Sequence, residues 1–310
     1  MIPADAAETT WRAPDGHGVR RIDWPAPEGL QRGSLLFMPG RADAYEKWLE
    51  TLAQWHGEGW QVTSADWRGQ ALSGRFGRDG MTGHISDFST WVDDYAVLWR
   101  DWAAATPGPH VAVAHSMGGH IVLRAVAEGR VRPDALVLSA PMLGLHPAWV
   151  PSTLLHWTAR AITALLRDPR HPAWSGSEKP QVVPRARNFL LTHDHSRYED
   201  ELWWRKQRPP LLMGAASWGW IERAFASVRI LEKRGMLEGV DIPVLILGTR
   251  VDGLVSWRAI RRAARRLPKG ELAAFGSECR HEILRELDPV RDRALNAIKE
   301  FLDRVAPARG

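Results

Sequence analysis

The sequence predicts an α/β protein in which a mostly parallel central sheet carries helices on both faces and a helical cap is inserted into it. Three observations predict this fold class. Short apolar runs typical of buried parallel strands recur along the chain, amphipathic helix patterns lie between them, and the alternation stops over one long stretch. With 310 residues, the chain is long enough for one large core with an insertion.

Seven segments have the composition of strands, because they are rich in β-branched and other apolar residues. The run 244–247 is apolar throughout, which is typical of a parallel strand covered on both faces. The predicted strands are 19–24, 34–38, 61–65, 110–115, 135–139, 243–248 and 271–275.

Helix patterns lie between these strands, with apolar residues at helical spacing over 45–52, 91–102 and 290–305. The last pattern follows Asp288 and Pro289, a pair that is typical of a helix start. Repeated strand–helix units imply a three-layer domain around a parallel sheet.

The stretch 141–239 is rich in Pro, Trp, Arg and His and has no strand pattern, only short helical patterns. A structureless loop of this length is improbable within a compact domain. We therefore predict a helical cap over 141–239, and a core built from 1–140 and 240–310. Seven of the 17 tryptophans lie in the cap. We expect most of them to pack the cap itself, and Trp149 and Trp218 to contact the substrate.

Ser116 lies between a predicted strand and an apolar helical stretch, and two glycines follow shortly after it. Strand, serine, sharp turn and helix form the layout of a nucleophile elbow. Small residues two positions away on either side, here Ala114 and Gly118, let the strand and the helix pass closely. The alternative interpretation is that Ser116 only caps the following helix.

A serine nucleophile needs a base, and the base needs a carboxylate to hold its tautomer. Asp252 follows the strand 243–248, and His281 follows the strand 271–275, so both are expected at the carboxyl edge of the sheet, where ligands bind. Taken alone, Asp252 is equally a turn residue before Gly253, and His281 a surface histidine at a helix start.

Other residues compete for these roles and fit less well. Asp241 precedes its strand and therefore lies at the opposite edge, while Asp288 is typical of a helix N-cap. His193 and His195 lack further ligands at metal spacing, so no metal site is expected. Cys279 has no elbow around it and is more typical of a small buried residue.

The backbone N–H groups of Met117 and Arg41 are the expected oxyanion donors. Met117 follows the nucleophile at a helix N-terminus, and Arg41 follows an early strand. Gly40 lets the backbone of that loop turn inward, and with His115 it is expected at the substrate. The side chain of His115, next to the nucleophile, is expected to point away from the hydroxyl.

The formal net charge is +5, and the basic residues include a cluster of five arginines over 258–266. Apolar residues at helical spacing in this stretch favour the solvated face of an amphipathic helix over a nucleic-acid site. Attraction to an anionic membrane surface is a further interpretation. With one cysteine, no signal-peptide pattern and no run long enough to span a membrane, we expect a cytoplasmic chain with peripheral contact to the inner membrane face.

Four motifs in this order, over 39–48, 66–75, 115–119 and 280–284, resemble the α/β-hydrolases of the lysophospholipase L2 and monoacylglycerol lipase group, the serine-aminopeptidase-like hydrolases. The resemblance covers nearly the whole chain and implies the α/β-hydrolase fold. Ala114 and Ala71 stand where this group usually has glycine. Pro39 stands where its lipases often have histidine, which favours the lysophospholipase-like branch.

The resemblance implies hydrolysis of a single-chain lipid ester through an acyl-enzyme, with Ser116, His281 and Asp252 as the triad and no cofactor. The same triad also serves monoacylglycerol lipases, general carboxylesterases and amidases on related scaffolds. A lipid acyltransferase, or a non-catalytic binding module, are the alternatives from other classes. Acyl length, headgroup and oligomeric state are left open by the sequence.

Overall fold

The computed structural model describes residues 1–174 and 189–308. Eight strands form one continuous sheet in the middle of the molecule. They are β1 (Ala7–Arg12), β2 (Gly18–Trp24), β3 (Gly33–Met38), β4 (Trp60–Ala65), β5 (His110–His115), β6 (Ala135–Ser139), β7 (Val244–Thr249) and β8 (Gly270–Phe275).

The strand order is β1-β2-β4-β3-β5-β6-β7-β8, and all neighbours from β4 to β8 pair in parallel. Only the β1–β2 and β2–β4 pairs are antiparallel. The central register aligns Phe37, Val113, Val137 and Leu245 across four strands, and all four side chains are buried. The predicted fold class, a mostly parallel α/β sheet, is therefore confirmed.

All seven predicted strands are present, with ends that differ by no more than one residue. The sequence analysis missed β1. Its side chains are mostly exposed because it is the edge strand, so its sequence lacks the apolar residues that mark a buried strand.

Eight α-helices lie wholly within the described ranges: α1 (Leu49–Gly57), α2 (Phe88–Ala105), α3 (Ser116–Ala127), α4 (Ser152–Leu166), α5 (His195–Gln207), α6 (Trp218–Glu232), α7 (Trp257–Arg266) and α8 (Asp288–Val305). Connections between parallel strands are right-handed, so the direction of each connection along the sheet decides which face its helix covers. The connection from β3 to β4 runs towards β1 and places α1 on one face. The later connections run towards β8 and place α2, α3 and α7 on the other face. The N-cap of α8 is Leu287, so Asp288 is the first helical residue rather than the cap.

The segment between β6 and β7 contains α4, α5 and α6 and, in its described part, no strand. This agrees with a helical insertion, while the boundaries at 141 and 239 stay a prediction. Across the described ranges, no helix is long and apolar enough to cross a membrane.

The tryptophans divide between the core and the surface. The largest fully buried side chains include Trp48, Trp55, Trp60, Trp91 and Trp102, all outside the cap. Within the cap, Trp204 and Trp220 are buried, whereas four others are exposed: Trp149, Trp157, Trp174 and Trp203. The expectation that most cap tryptophans pack the cap is therefore wrong. Helices α4 and α6 of the cap pack against each other.

The start of α3 passes unusually close to the end of β3. A Cβ atom on Gly118 would lie 2.3 Å from the carbonyl oxygen of Pro39 and 2.7 Å from that of Met38. Real Cβ atoms do not approach backbone this closely, so only glycine fits at this crossing.

Replacing Gly118 by alanine should lower the free energy of unfolding by about 1–3 kcal/mol, because the added methyl group overpacks a backbone contact. Gly57→Ala is the matched control: a Cβ at this exposed helical end would have nothing within 4 Å, so stability should hold or rise by up to about 1 kcal/mol. Urea unfolding of both variants measures the difference. Equal stability of the two variants would contradict the proposed crossing.

Candidate active site

Ser116 lies at the turn where β5 ends and α3 begins. Its φ is 50°, in the left-handed region that non-glycine residues rarely adopt, which costs on the order of 1–3 kcal/mol. The turn brings the hydroxyl to the carboxyl edge of the parallel strands. This is the geometry of a nucleophile elbow.

Two side chains from later loops reach this hydroxyl. His281, from the loop after β8, places Nε2 2.9 Å from Oγ of Ser116. Asp252, from the loop after β7, places Oδ2 2.8 Å from Nδ1 of the same imidazole. Serine, histidine and aspartate thus form one hydrogen-bonded chain, which makes the serine a potential nucleophile.

The Asp252 carboxylate is buried and held from two sides. Oδ2 faces His281, and Oδ1 accepts hydrogen bonds from the backbone N–H groups of Leu254 and Val255 at 2.8 and 2.9 Å. Burial opposes its charge, but the histidine and these N–H groups outweigh burial and lower the pKa of Asp252. The carboxylate is therefore ionised and accepts a hydrogen bond from the Nδ1–H group of His281.

The His281 imidazole is also buried, and burial alone would favour its neutral form. The adjacent Asp252 carboxylate outweighs burial and raises the pKa of His281 above its usual value of 6.5. With Nδ1 donating to Asp252, Nε2 is the nitrogen that accepts the serine proton.

The loop after β3 lies directly against the nucleophile. A Cβ on Gly40 would come within 3.2 Å of Cβ of Ser116 and 3.1 Å of the His115 ring. Next to it stands Arg41, while Met117 is the second residue of α3, at the positive end of the helix. The position of both backbones suits the predicted oxyanion donors, and their role stays a prediction.

Side chains from elsewhere in the chain hold this oxyanion loop, residues 39–42, in place. The N–H of Gly40 donates to Asp43 at 3.2 Å, and the N–H of Ala42 donates to Gln70 at 2.7 Å. The indole N–H of Trp67 donates to the carbonyl of Pro39 at 2.8 Å. Sequence reasoning assigned no role to Asp43 or Gln70. Asp43 lies in the 39–48 motif and Gln70 in the 66–75 motif, and these two motifs were the available signals.

The guanidinium of Arg41 reaches the cap. It donates to the carbonyl of Gly214 at 2.6 Å and lies 5.4 Å from the ring of Trp220 and 5.8 Å from that of Trp174. Cation–π contacts of this kind attach the cap to the oxyanion loop.

The ring of His115 lies behind the triad, 4.8 Å from the ring of His281 and 4.9 Å from that of Trp48. Burial, followed by the neighbouring His281, holds the pKa of His115 well below its usual value, so this ring is neutral. Its side chain is almost fully buried, which leaves little surface for the predicted contact with substrate.

The two cap tryptophans predicted to contact substrate differ in exposure. Trp149 is 80% exposed and lines a surface hollow of about 380 Å³ beside α7, whose lining includes no triad residue. Trp218 is half-buried at the first position of α6. The contact of both residues with a substrate stays a prediction.

The competing residues are all engaged elsewhere. Asp241 is exposed and pairs with Arg132, and Asp288 pairs with Arg197. The His193 ring contacts Glu286. Burial raises the pKa of the Cys279 thiol, which keeps it protonated. Within the described ranges, no group of His, Cys, Asp and Glu is arranged to hold a metal ion.

Comparison with known proteins gives a consistent group of matches. The family described as serine aminopeptidase, S33, matches residues 29–288. Lysophospholipase L2 of Escherichia coli (strain K12) is 29% identical over 290 residues, covering 87% of this chain and 80% of that protein. A probable lysophospholipase L2 of Haemophilus influenzae is 24% identical, covering 89% and 86%.

The fold is also similar to solved structures. The crystal structure of a soluble variant of monoglyceride lipase from Saccharomyces cerevisiae superposes with a TM-score of 0.78, covering 99% of this chain and 98% of that one. Sequence identity is 19%, so this likeness bears on the fold alone.

The reactivity of Ser116 towards a fluorophosphonate should fall as the pH drops through the pKa of His281, which lies above 6.5, because only the neutral imidazole accepts the proton. Asp252→Asn should shift this midpoint to lower pH and reduce the plateau by about 10³–10⁴-fold, since the carboxylate that raises the pKa is lost. Labelling rates across about pH 5 to 9 measure both effects.

Asp241→Asn is the control for this measurement, because that aspartate is exposed and paired with Arg132 at the other edge of the sheet. Its labelling profile should match that of the parent chain. An Asp252→Asn profile with unchanged midpoint and plateau would contradict the assignment of the carboxylate.

Proposed function

This chain belongs to the serine aminopeptidase S33 family of hydrolases, and we propose that it cleaves the carboxylic esters of single-chain lipids through a serine acyl-enzyme. Its membership confirms the resemblance that the motifs indicate. The observation that carries the proposal is the hydrogen-bonded chain from Ser116 through His281 to Asp252 beside the oxyanion loop.

In the first half of the reaction, the hydroxyl of Ser116 attacks the ester carbonyl and its proton passes to Nε2 of His281. The carboxylate of Asp252 stabilises the imidazolium that forms. The N–H groups of Met117 and Arg41 stabilise the oxyanion, and the loss of one such donor typically costs about 10²–10³ in turnover. His281 then protonates the leaving alcohol oxygen, which leaves the acyl group on the serine.

In the second half, water attacks the acyl-enzyme while His281 again removes a proton. The fatty acid leaves as Ser116 regains its hydrogen. Each step uses only side chains and backbone groups of this chain.

The substrate class rests on two kinds of support. Two of the relatives named above are described as lysophospholipase L2, one of them as probable, and a lysophospholipid has one acyl chain. In this chain, the rings of Trp174 and Trp220 lie against Arg41, next to the oxyanion loop. The Trp174 ring is exposed and offers apolar surface beside this loop, which suits an acyl chain, whereas Trp220 is buried.

A panel of a lysophosphatidylcholine, a monoacylglycerol and a short p-nitrophenyl ester tests the substrate class. We expect a higher kcat/KM for the lipid esters, with lysophosphatidylcholine first, because the acyl chain gains apolar burial. Ser116→Ala should lose more than about 10⁴-fold in kcat on all three substrates.

Two outcomes would count against the proposal. If a fluorophosphonate labels the parent chain and Ser116→Ala equally, or labels neither, Ser116 is not the nucleophile. If the short ester is preferred over both lipids, the enzyme is a general carboxylesterase instead.

We further propose that the chain works in the cytoplasm and contacts anionic membrane through the face that carries α7. Arg258, Arg261 and Arg265 are exposed on this helix, and within the described ranges they form no ion pair. Arg258 and the exposed Trp149 line the same surface hollow. Arginines beside an exposed indole suit the headgroup region of an anionic bilayer.

Sedimentation with vesicles that contain phosphatidylserine tests this contact. Replacing Arg258, Arg261 and Arg265 together by glutamine should weaken binding by roughly 100-fold, since each basic residue near the surface contributes on the order of 1 kcal/mol. Binding of the parent chain should fall as salt screens the charges.

The matched control replaces three exposed arginines that already have carboxylate partners, which changes the net charge equally: Arg100, Arg132 and Arg304. If this control weakens binding as much as the α7 variant, net charge and not the α7 face is responsible.

A further inference from the structure

Six charged side chains lie buried together between the cap and the catalytic loops. Each is less than a tenth exposed. This buried charge cluster consists of three cations and three carboxylates: Lys47, Arg205 and Arg285 with Asp43, Glu201 and Glu282. The formal charges cancel, as burial of this many ions requires.

Lys47 lies at the centre of the cluster. Its ammonium hydrogen bonds to Glu282 and lies 3.2 Å from a carboxylate oxygen of Glu201 and 3.3 Å from one of Asp43. Burial opposes the charge, but the three carboxylates outweigh it and raise the pKa of Lys47. One ammonium therefore joins three carboxylates from three separate parts of the chain.

The first carboxylate, that of Asp43, holds the oxyanion loop by a hydrogen bond. Asp43 uses its second oxygen, Oδ2, to accept the N–H of Gly40 at 3.2 Å and the indole N–H of Trp48 at 2.8 Å. With Lys47 on Oδ1, the carboxylate has one orientation. The peptide at Gly40, which touches Ser116, is oriented with it.

The second carboxylate is that of Glu282, the residue after the catalytic histidine. Its other oxygen accepts from the guanidinium of Arg285 at 2.9 Å, and its backbone N–H donates to the carbonyl of Leu191, in the cap segment, at 2.8 Å. The peptide that carries His281 is therefore held by a side chain on one side and by the cap on the other.

The third carboxylate, Glu201, belongs to helix α5 of the cap. It pairs with Arg205 on the same helix and lies 3.5 Å from Arg285 of the catalytic loop. The cap helix is thus tied to the two catalytic loops through one buried ammonium.

We propose that Lys47 is a positioning residue that couples the placement of cap helix α5 to the geometry of the oxyanion loop and of His281. The inference rests on the hydrolase function proposed above. Lys47 does not touch the reacting atoms. It orients Asp43, and through it Gly40, and it holds Glu282 next to the base. Contact of α5 with an acyl substrate would therefore act on both catalytic loops at once.

Lys47→Met, Lys47→Arg and Lys299→Met, each purified as the full chain, test the proposal with the short ester. Lys47→Met should lose about 10- to 100-fold in kcat with KM little changed, because displacement of catalytic groups costs turnover more than binding. Lys47→Arg retains the charge and should recover part of kcat. Lys299→Met removes an exposed, paired lysine and should leave both constants unchanged.

The pH profile of kcat/KM gives a readout that a merely structural role would not move. The groups that face His281 are Asp252, Ser116, His115 and Glu282, with Lys47 beyond Glu282. The Lys47 charge opposes protonation of the imidazole, so its removal should shift the acid limb to higher pH. In Lys47→Arg the limb should stay in place.

Removal of Lys47 alone leaves a surplus carboxylate in the interior and can prevent folding. The double variant Lys47→Met with Glu201→Gln restores the charge balance, and Glu201→Gln alone is its reference. The reference still has Lys47 on Asp43 and Glu282 and should lose at most about three-fold in short-ester kcat, while the double variant should lose about 10- to 100-fold.

A double variant as active on the short ester as Glu201→Gln, or a folded Lys47→Met with normal kcat and pH profile, would overturn the coupling role. Failure of the proposed hydrolase function would give a different result. The unmodified chain would then cleave none of the esters, and the fluorophosphonate would not label Ser116.

Discussion

The tight crossing of α3 over the end of β3 is the constraint on which the rest of the site depends. Because Gly118 lacks a side chain, the helix approaches the carbonyl oxygens of Met38 and Pro39, and the turn before it forces Ser116 to a φ of 50°. The same approach brings Gly40 against the nucleophile. One local packing contact therefore positions both the attacking hydroxyl and the loop that is proposed to bind the oxyanion.

Two histidine rings in contact have opposite electrostatic environments. His281 faces the Asp252 carboxylate, which raises its pKa, while burial and the neighbouring His281 depress the pKa of His115. The contrast follows from a single hydrogen bond, that between Asp252 and Nδ1 of His281. One ring is thereby prepared to act as a base, and the other stays a neutral packing group behind it.

Charges have different roles inside the molecule and on its surface. In the buried charge cluster, cations and carboxylates balance, and each ion fixes the direction of another. On α7 four of the five arginines are exposed, and several lack carboxylate partners within the described residues, so their field extends into solvent. The first arrangement suits positioning, and the second suits attraction to an anionic surface.

The sequence alone determined the seven apolar strands and placed Ser116, Asp252 and His281 each after a strand, because burial and tight turns leave local patterns. The extent of the cap insertion, 141–239, stays a prediction. Tertiary structure alone decided the rest. The edge strand β1 pairs without an apolar face, and the outward tryptophans of the cap look like core residues in sequence. Lys47 and Glu282 are in contact although 235 residues separate them in the chain. Local sequence patterns cannot predict this contact, because it depends on how the cap and both catalytic loops are brought together in space.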